Sequence, residues 1–240
     1  MRRFFAENVD ISDGTVRLSG DESKHIAGVL RMKAGDRVIL IDGKGSEWLA
    51  EILSADVQSV VLRLLEERAC GADPSVRVTL YQCLPKQGKM ETIIQKCVEL
   101  GVYRIVPTVS ARCVVKPEGM TNKLARWNKV SVEAAKQCGR ANVPEVAPAI
   151  KLTDIDLSGF DTAMIAYENE NDVSLKDVLH SDGEKRDIAL IIGPEGGFEY
   201  GEVERAADKG AVAVSLGKRI LRTETAGMAT VAQIMYELDQ

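Results

Sequence analysis

Two short glycine-rich segments near the C-terminus constrain the fold more than any other feature of the sequence. Ile191-Ile192-Gly193-Pro194-Glu195-Gly196-Gly197-Phe198 continues the apolar run Ile188–Ile192, and Ser215-Leu216-Gly217-Lys218-Arg219-Ile220-Leu221-Arg222-Thr223-Glu224-Thr225-Ala226 follows Ala211–Val214. Each run reads as a buried strand, and each glycine segment leads into a helical pattern, the strand–loop–helix order of a parallel sheet. Loops at the carboxyl ends of such strands present their backbone to ligands. Glycines there leave amides and carbonyls uncovered by a Cβ. The segments do not suit a phosphate: neither G-x-G-x-x-G nor G-x-x-x-x-G-K-[ST] occurs, and Glu195 puts a carboxylate where pyrophosphate charge would lie.

The remainder of the chain divides by texture. Up to about Gly71, short strands at Thr15–Ser19, Arg37–Ile41, Trp48–Ser54 and Val60–Leu65 are separated by Asp13-Gly14, Ala34-Gly35-Asp36 and Asp42-Gly43-Lys44-Gly45. Short strands with Gly/Asp turns predict a small β-barrel. One helix interrupts it, with Asp21 as N-cap and Ile26, Val29 and Leu30 as its apolar stripe. Cys70-Gly71-Ala72-Asp73-Pro74 marks the boundary, giving domains at 1–72 and 73–240. Beyond it, strands at Val76–Tyr81, Arg104–Pro107, Thr162–Tyr167, Ile188–Ile192 and Ala211–Val214 alternate with amphipathic helices at Lys86–Leu100, Asn122–Cys138 and Glu224–Leu238. That alternation predicts an α/β domain with a mostly parallel sheet.

Composition excludes several classes. With 45% apolar and 28% charged residues the chain is an ordinary globular protein, not a disordered one. The start, Met-Arg-Arg-Phe-Phe-Ala-Glu-Asn, lacks a signal-peptide apolar stretch, and an odd number of cysteines with no C-x-x-C pair fits a reducing cytosol, so a cytoplasmic location is expected. The five cysteines form no C-x-x-C pair, and no His/Cys/Asp cluster has ligand spacing, so no metal is expected. The net charge of −5 is unevenly spread. Leu84–Arg140 holds eleven basic residues against four acidic, and Ala141–Val214 holds sixteen acidic against six basic. A basic segment in an acidic chain fits a polyanion partner, although a solvated helix face would look the same.

The glycine segments also carry a resemblance. Gly193-Pro194-Glu195-Gly196-Gly197-Phe198, followed by Leu216-Gly217-x-x-Ile220-Leu221-Arg222-x-Glu224-Thr225-Ala226, resembles the SPOUT-superfamily 16S ribosomal RNA (uracil-N3)-methyltransferases. His25–Arg31, Pro85–Gly101 and Glu133–Arg140 fit the same family, in order and nearly end to end. The resemblance implies a PUA-like β-barrel followed by a SPOUT domain with a trefoil knot. It also implies S-adenosylmethionine as cofactor, a homodimer, and methylation of uridine 1498 of 16S ribosomal RNA within the small subunit. A zwitterionic, adenine-bearing sulfonium suits the glycine segments better than a dinucleotide does. Its expected pocket comprises Tyr167, Glu168, Ile192, Gly193, Pro194, Glu195, Gly196, Gly197, Leu216, Gly217, Ile220, Leu221, Arg222, Thr225 and Ala226.

The reaction makes its own demand. Uracil N3 carries a proton with a pKa near that of tyrosine, about 10. The proton must leave as N3 attacks, so the site needs a base or fixed positive charge to stabilise the uracil anion. Arg222 is the candidate for the charge, and Glu224 for the base or for Arg222's orienting partner. RNA contacts are expected from Arg2, Arg3, Lys24, His25 and Arg31 on the barrel, and from Lys86, Lys89, Arg112, Lys129, Gln137 and Arg140 on the α/β face. Three rivals remain at this point: methyl transfer to another RNA atom, a non-catalytic RNA-binding protein, and a nucleotide-dependent oxidoreductase, against which the missing phosphate fingerprint counts.

Overall fold

The structure, a computed structural model, describes residues 1–6, 14–86, 88–114 and 121–239. Asp13 of the first turn signal, Gln87 of the Pro85–Gly101 motif, and Lys116 and Glu118 of the basic segment lie outside the described residues. Two compact units are present, 1–73 with 135–143, and 74–134 with 144–240. Segment 135–143 therefore groups with the first unit although the composition shift lies at Cys70–Pro74. Within that unit Asp73 accepts the N–H groups of Ala141 (3.2 Å) and Asn142 (2.8 Å), and Asn142 bridges Gly43 and Lys44.

The first unit contains β1 (Arg3–Phe5), β2 (Thr15–Ser19), α1 (Asp21–Ser23), β3 (Arg37–Ile41), β4 (Ser46–Ala55) and β5 (Ser59–Ala69). Its sheet order is β1-β3-β4-β5-β2, antiparallel except for β1 beside β3. Two register shifts between β4 and β5, at Leu49/Ala50 and Ile52/Ser54, are the kind of irregularity that lets a small sheet curl. Phe4, Val16, Leu18, Ile26, Val38, Leu40, Ile52, Val60 and Leu62 fill its core. The helical segment differs from the expected one. Gly20 occupies the N-cap position and Asp21 is already helical; from Lys24 to Val29 the backbone is a π-helix, with Leu30 N–H on His25 O. The wider turn moves residues off a 3.6-residue stripe. Ile26 is buried, but Val29, expected beside it, is 73% exposed.

In the second unit follow β6 (Arg77–Cys83), α2 (Lys89–Glu99), β7 (Arg104–Val109), α3 (Thr121–Cys138, its last turn grouped with the first unit), β8 (Glu145–Val146) and β9 (Ile150–Lys151). Then come β10 (Thr162–Ala166), α4 (Leu175–Leu179), β11 (Asp187–Ile192), α5 (Tyr200–Asp208), β12 (Ala211–Val214) and α6 (Thr223–Leu238). The sheet order is β12-β10-β11-β6-β7-β8, with β9 on β7, and every pairing is parallel. Ile188 to Ile192 are all buried, the continuous apolar run of a strand covered on both faces. Because β10, β11 and β12 are parallel neighbours, the loops that follow them emerge at one edge of the sheet. The α2 helix stops where Gly101 takes φ +100°, one residue past the C-cap Leu100.

Candidate functional site

The carboxyl ends of β10, β11 and β12 open into one cavity of about 730 Å³. Tyr167 and Glu168 come from the first loop, Ile192 to Gly197 from the second, and Leu216, Gly217, Ile220, Leu221 and Arg222 from the third; Ala226 belongs to α6. Thus all but one of the expected cofactor residues line the same cavity. Thr225, exposed in the first turn of α6, does not line it, because its neighbours Thr223 and Ala226 occupy the inward side of that turn. Glu170, Asn171, Phe198, Ser215, Lys218, Arg219 and Thr223 line it as well, none of which the sequence reading singled out. For Glu170 and Asn171 the sequence offers only an ordinary polar loop. Lys218, Arg219 and Thr223 lie inside the glycine segment and could have been read from it.

The second loop is built around a close approach. Gly197 N–H donates to Pro194 O at 3.0 Å, and Gly197 itself sits at φ +66°. A Cβ on Gly197 would run into the Glu168 carboxylate, which could swing aside; the φ of +66° is what strains any other residue here. Outside the cavity, Arg112 Nη1 donates to Gly196 O at 2.9 Å, and Ala111 N–H donates to Glu202 Oε1 at 2.8 Å.

A buried relay fixes the third loop. Thr223 Oγ1 donates to Gly193 O (2.6 Å) and accepts from Gln82 Nε2 (2.9 Å), which also donates to Cys83 O (3.1 Å). Gln82 is fully buried, and its Oε1 finds no partner among the described residues. A Cβ on Gly227 would come within 2.9 Å of that oxygen, so glycine lets α6 lie against β6. The rim is ionic. Glu195 Oε1 accepts Lys86 N–H at 3.0 Å and lies 3.3 Å from Lys89 Nζ, which also donates to Glu224 Oε2 at 3.1 Å. Desolvation raises the Glu195 carboxyl, but the backbone N–H groups of Lys86 and Glu195 and the Lys89 ammonium more than offset it and hold it below the usual carboxylate range. Desolvation likewise opposes the lowering of Glu224, which its own N–H, Lys89 and Arg222 bring about. The same pairing, with Glu224 first, raises Lys89. Arg222 is exposed at the mouth, at the N-cap of α6, beside Lys218 and Arg219.

The model of the RNA methyltransferase domain matches residues 72–235, and that of the RNA methyltransferase PUA domain matches 18–65. The chain belongs to the RNA methyltransferase family. The Ribosomal RNA small subunit methyltransferase E of Bacillus subtilis is 34% identical to it over 100% of this chain and 98% of its own. That of Synechocystis is 35% identical over 93% and 74%. The crystal structure of Ribosomal RNA small subunit methyltransferase E from Neisseria gonorrhoeae bound to S-adenosyl methionine superposes with a TM-score of 0.87, at 34% identity over 98% and 97%.

The family's RNA-facing candidates scatter in this methyltransferase. In the first unit Arg2, Lys24, His25 and Arg31 are exposed; His25 meets the Phe4 ring edge-on at 6.0 Å, and Arg31 takes φ 52°, unusual for a side chain of its size. Arg3 is tied to Glu47 at 3.0 Å. Gln137 is exposed, but it and Arg140 group with the first unit, not with the α/β face as expected. Arg140 corrects the reading further: it is 3% exposed and bonded to Asp73 at 3.1 Å, which places it in the unit's interior, out of a phosphate's reach. In the second unit Lys86, Arg112 and Lys129 are exposed, whereas Lys89 is engaged by two carboxylates. Among the described residues no cluster could hold a metal, and no helix is long and apolar enough to cross a membrane.

Behind the second loop Cys113 packs against buried Cys83. Hydrogen bonding by the Cys83 thiol, which outweighs burial, together with Ser110's hydroxyl and N–H, lowers the Cys113 thiol to about 6, while the same bond and burial push Cys83 up. Burial alone raises Cys97 to about 12.

Proposed function

We propose that this chain uses S-adenosylmethionine to methylate N3 of uridine 1498 in 16S ribosomal RNA of the small subunit. The supporting observation is the single cavity enclosed by three successive strand-end loops, backbone-lined on one side and rimmed by Arg222, Lys218 and Arg219. Its residues suit that donor. Gly193 and Gly197 present bare backbone to the cavity, and at Gly193 there is little room for more, since a Cβ there would fall 3.1 Å from the Phe198 ring. Glu168 and Glu170 supply the anionic partners that an ammonium and a sulfonium call for. When bound, the donor supplies a methyl group on a cationic sulfur.

The protein's own contribution is placement and charge. Arg222 offers five fixed N–H donors to the oxygens of a uracil that is losing its N3 proton. Glu224 suits the role of Arg222's orienting partner better than that of base, because a carboxylate held below its usual range is a weak proton acceptor near neutrality. A base inside a paired helix must first be turned out of the stack, which exposed cations such as Lys86, Arg112 and Lys129 can support through the phosphates. The homodimer and the knot, implied by the resemblance, and a cytoplasmic setting, expected from the composition, belong to this proposal.

The experiment is methyl transfer to small subunits from a strain lacking the enzyme, followed by mass spectrometry of nucleosides. N3-methyluridine appearing at one position is the expected product. A ribose-methylated nucleoside, or another methylated base, would reassign the target atom. Failure to bind S-adenosylhomocysteine in calorimetry would leave an RNA-binding protein.

A further inference from the structure

We propose that Lys89 is a positioning residue that staples two loops of the donor pocket; this rests on the function proposed above. Its ammonium lies 3.3 Å from Glu195 Oε1, in the middle of the Pro194–Gly197 turn, and 3.1 Å from Glu224 Oε2, two residues beyond Arg222. The three side chains are mostly shielded, at 29%, 24% and 21% exposure. One carboxylate follows β11 and the other opens α6, so Lys89 joins two segments that are far apart in the chain. Lys89 can do so because it is the first residue of α2, which packs along α6, while Met90 behind it is anchored in the core. Lys86 N–H on the same Glu195 oxygen docks the β6–α2 connection there too.

A phosphate could take Lys89 only by displacing two carboxylates, so an RNA contact is the poorer use of this ammonium. Without the ammonium, two partly shielded like charges would face each other across the pocket rim and drive the second and third loops apart. Glu195 would move the Gly196–Gly197 wall, and Glu224 would move Arg222. Lys89 thereby sets both the donor cradle and the position of the cation at its mouth.

The test is calorimetric binding of S-adenosylhomocysteine to the whole chain. Lys89→Met is expected to weaken binding at least about tenfold, as removal of one partner from a shielded ion pair does. Adding Glu224→Gln to Lys89→Met removes the repulsion and is expected to recover part of the loss. A role limited to starting α2 would not respond to that second change. The pH dependences should also differ: binding by Lys89→Met improves between pH 7 and 5 as the facing carboxylates protonate, whereas wild-type binding does not. Wild-type affinity in Lys89→Met, or no recovery in the double variant, overturns the staple. If Lys89→Met is unfolded by circular dichroism, Glu224→Gln alone carries the test. It should lower affinity by about threefold, a loss in line with one partly shielded pair, and unchanged affinity overturns the proposal. A wild-type chain that binds no S-adenosylhomocysteine strikes the proposed function, not Lys89.

Discussion

Lys89 and Arg140 came from the same basic stretch of sequence, and both are held by carboxylates, yet their surroundings give them different consequences. Arg140 is 3% exposed and belongs to a closed arrangement in which Asp73 also accepts two backbone N–H groups. Lys89 keeps 29% of its side chain exposed and joins two loops of a cavity. A guanidinium buried this deeply makes its pair part of the fold, because a charge is costly to bury unless it is paired and hydrogen-bonded. At a half-open rim the same pairing mainly sets the position of neighbouring groups. The lesson is that sign and spacing in a sequence identify a cation, while its solvent access decides what losing it does.

That contrast can be broken most forcefully at Arg140. Arg140→Ala should destabilise the protein by about 2–3 kcal/mol, measured by urea unfolding, because it empties the space of a buried side chain and removes its bond to Asp73, which keeps only its two backbone N–H groups. A loss no larger than that of a surface lysine would remove burial as the deciding variable. Arg222→Ala probes the open end of the scale: melting temperature should stay near wild type while turnover falls about 10²–10³-fold, the usual effect of deleting one donor to a developing anion. Equal turnover would remove Arg222 from the chemistry.

Thr223→Val lies between the two, since its hydroxyl is buried yet lines the pocket. It should cost about 1–3 kcal/mol in unfolding, because Gly193 O and Gln82 Nε2 both lose a partner, and it should weaken S-adenosylhomocysteine binding in parallel. Cys113 adds a pH reading. Its thiol pKa in the folded chain is about 6, below the ordinary thiol value, so the unfolded chain binds more protons between the two. Its contribution is fully present above the unfolded value and is lost as pH falls through about 6. Stability should therefore rise from pH 6 to about 8.5, and Cys113→Ser should flatten that slope. The smallest effect belongs to exposed Lys129: Lys129→Ala should change stability by less than about 0.5 kcal/mol. In RNA binding the same change should reduce the salt slope by about one unit, and an unchanged slope would remove Lys129 from the phosphate contacts.

Much of the site was legible in the chain itself. The glycine segments lie where strand-end loops should, because an apolar run, a Cβ-free turn and an amphipathic helix each leave a local signature. The first unit's strands were legible for the same reason, through alternation and turn residues. Val29 was misplaced because the π turn follows from how Lys24–Val29 packs, and periodicity carries no warning of it. Gln82 was invisible, being one amide in a largely buried strand, 141 residues from the threonine it bonds.

Local pattern alone determined the two textures, the parallel α/β arrangement and the glycine turns, since each depends on residues that are neighbours in the chain. Tertiary structure alone decided that segment 135–143 groups with the first unit, that Arg140 is interior, and that Lys89 spans two loops. Charge can be counted along a sequence, but the dielectric around it and the identity of its nearest opposite charge exist only once distant segments have met.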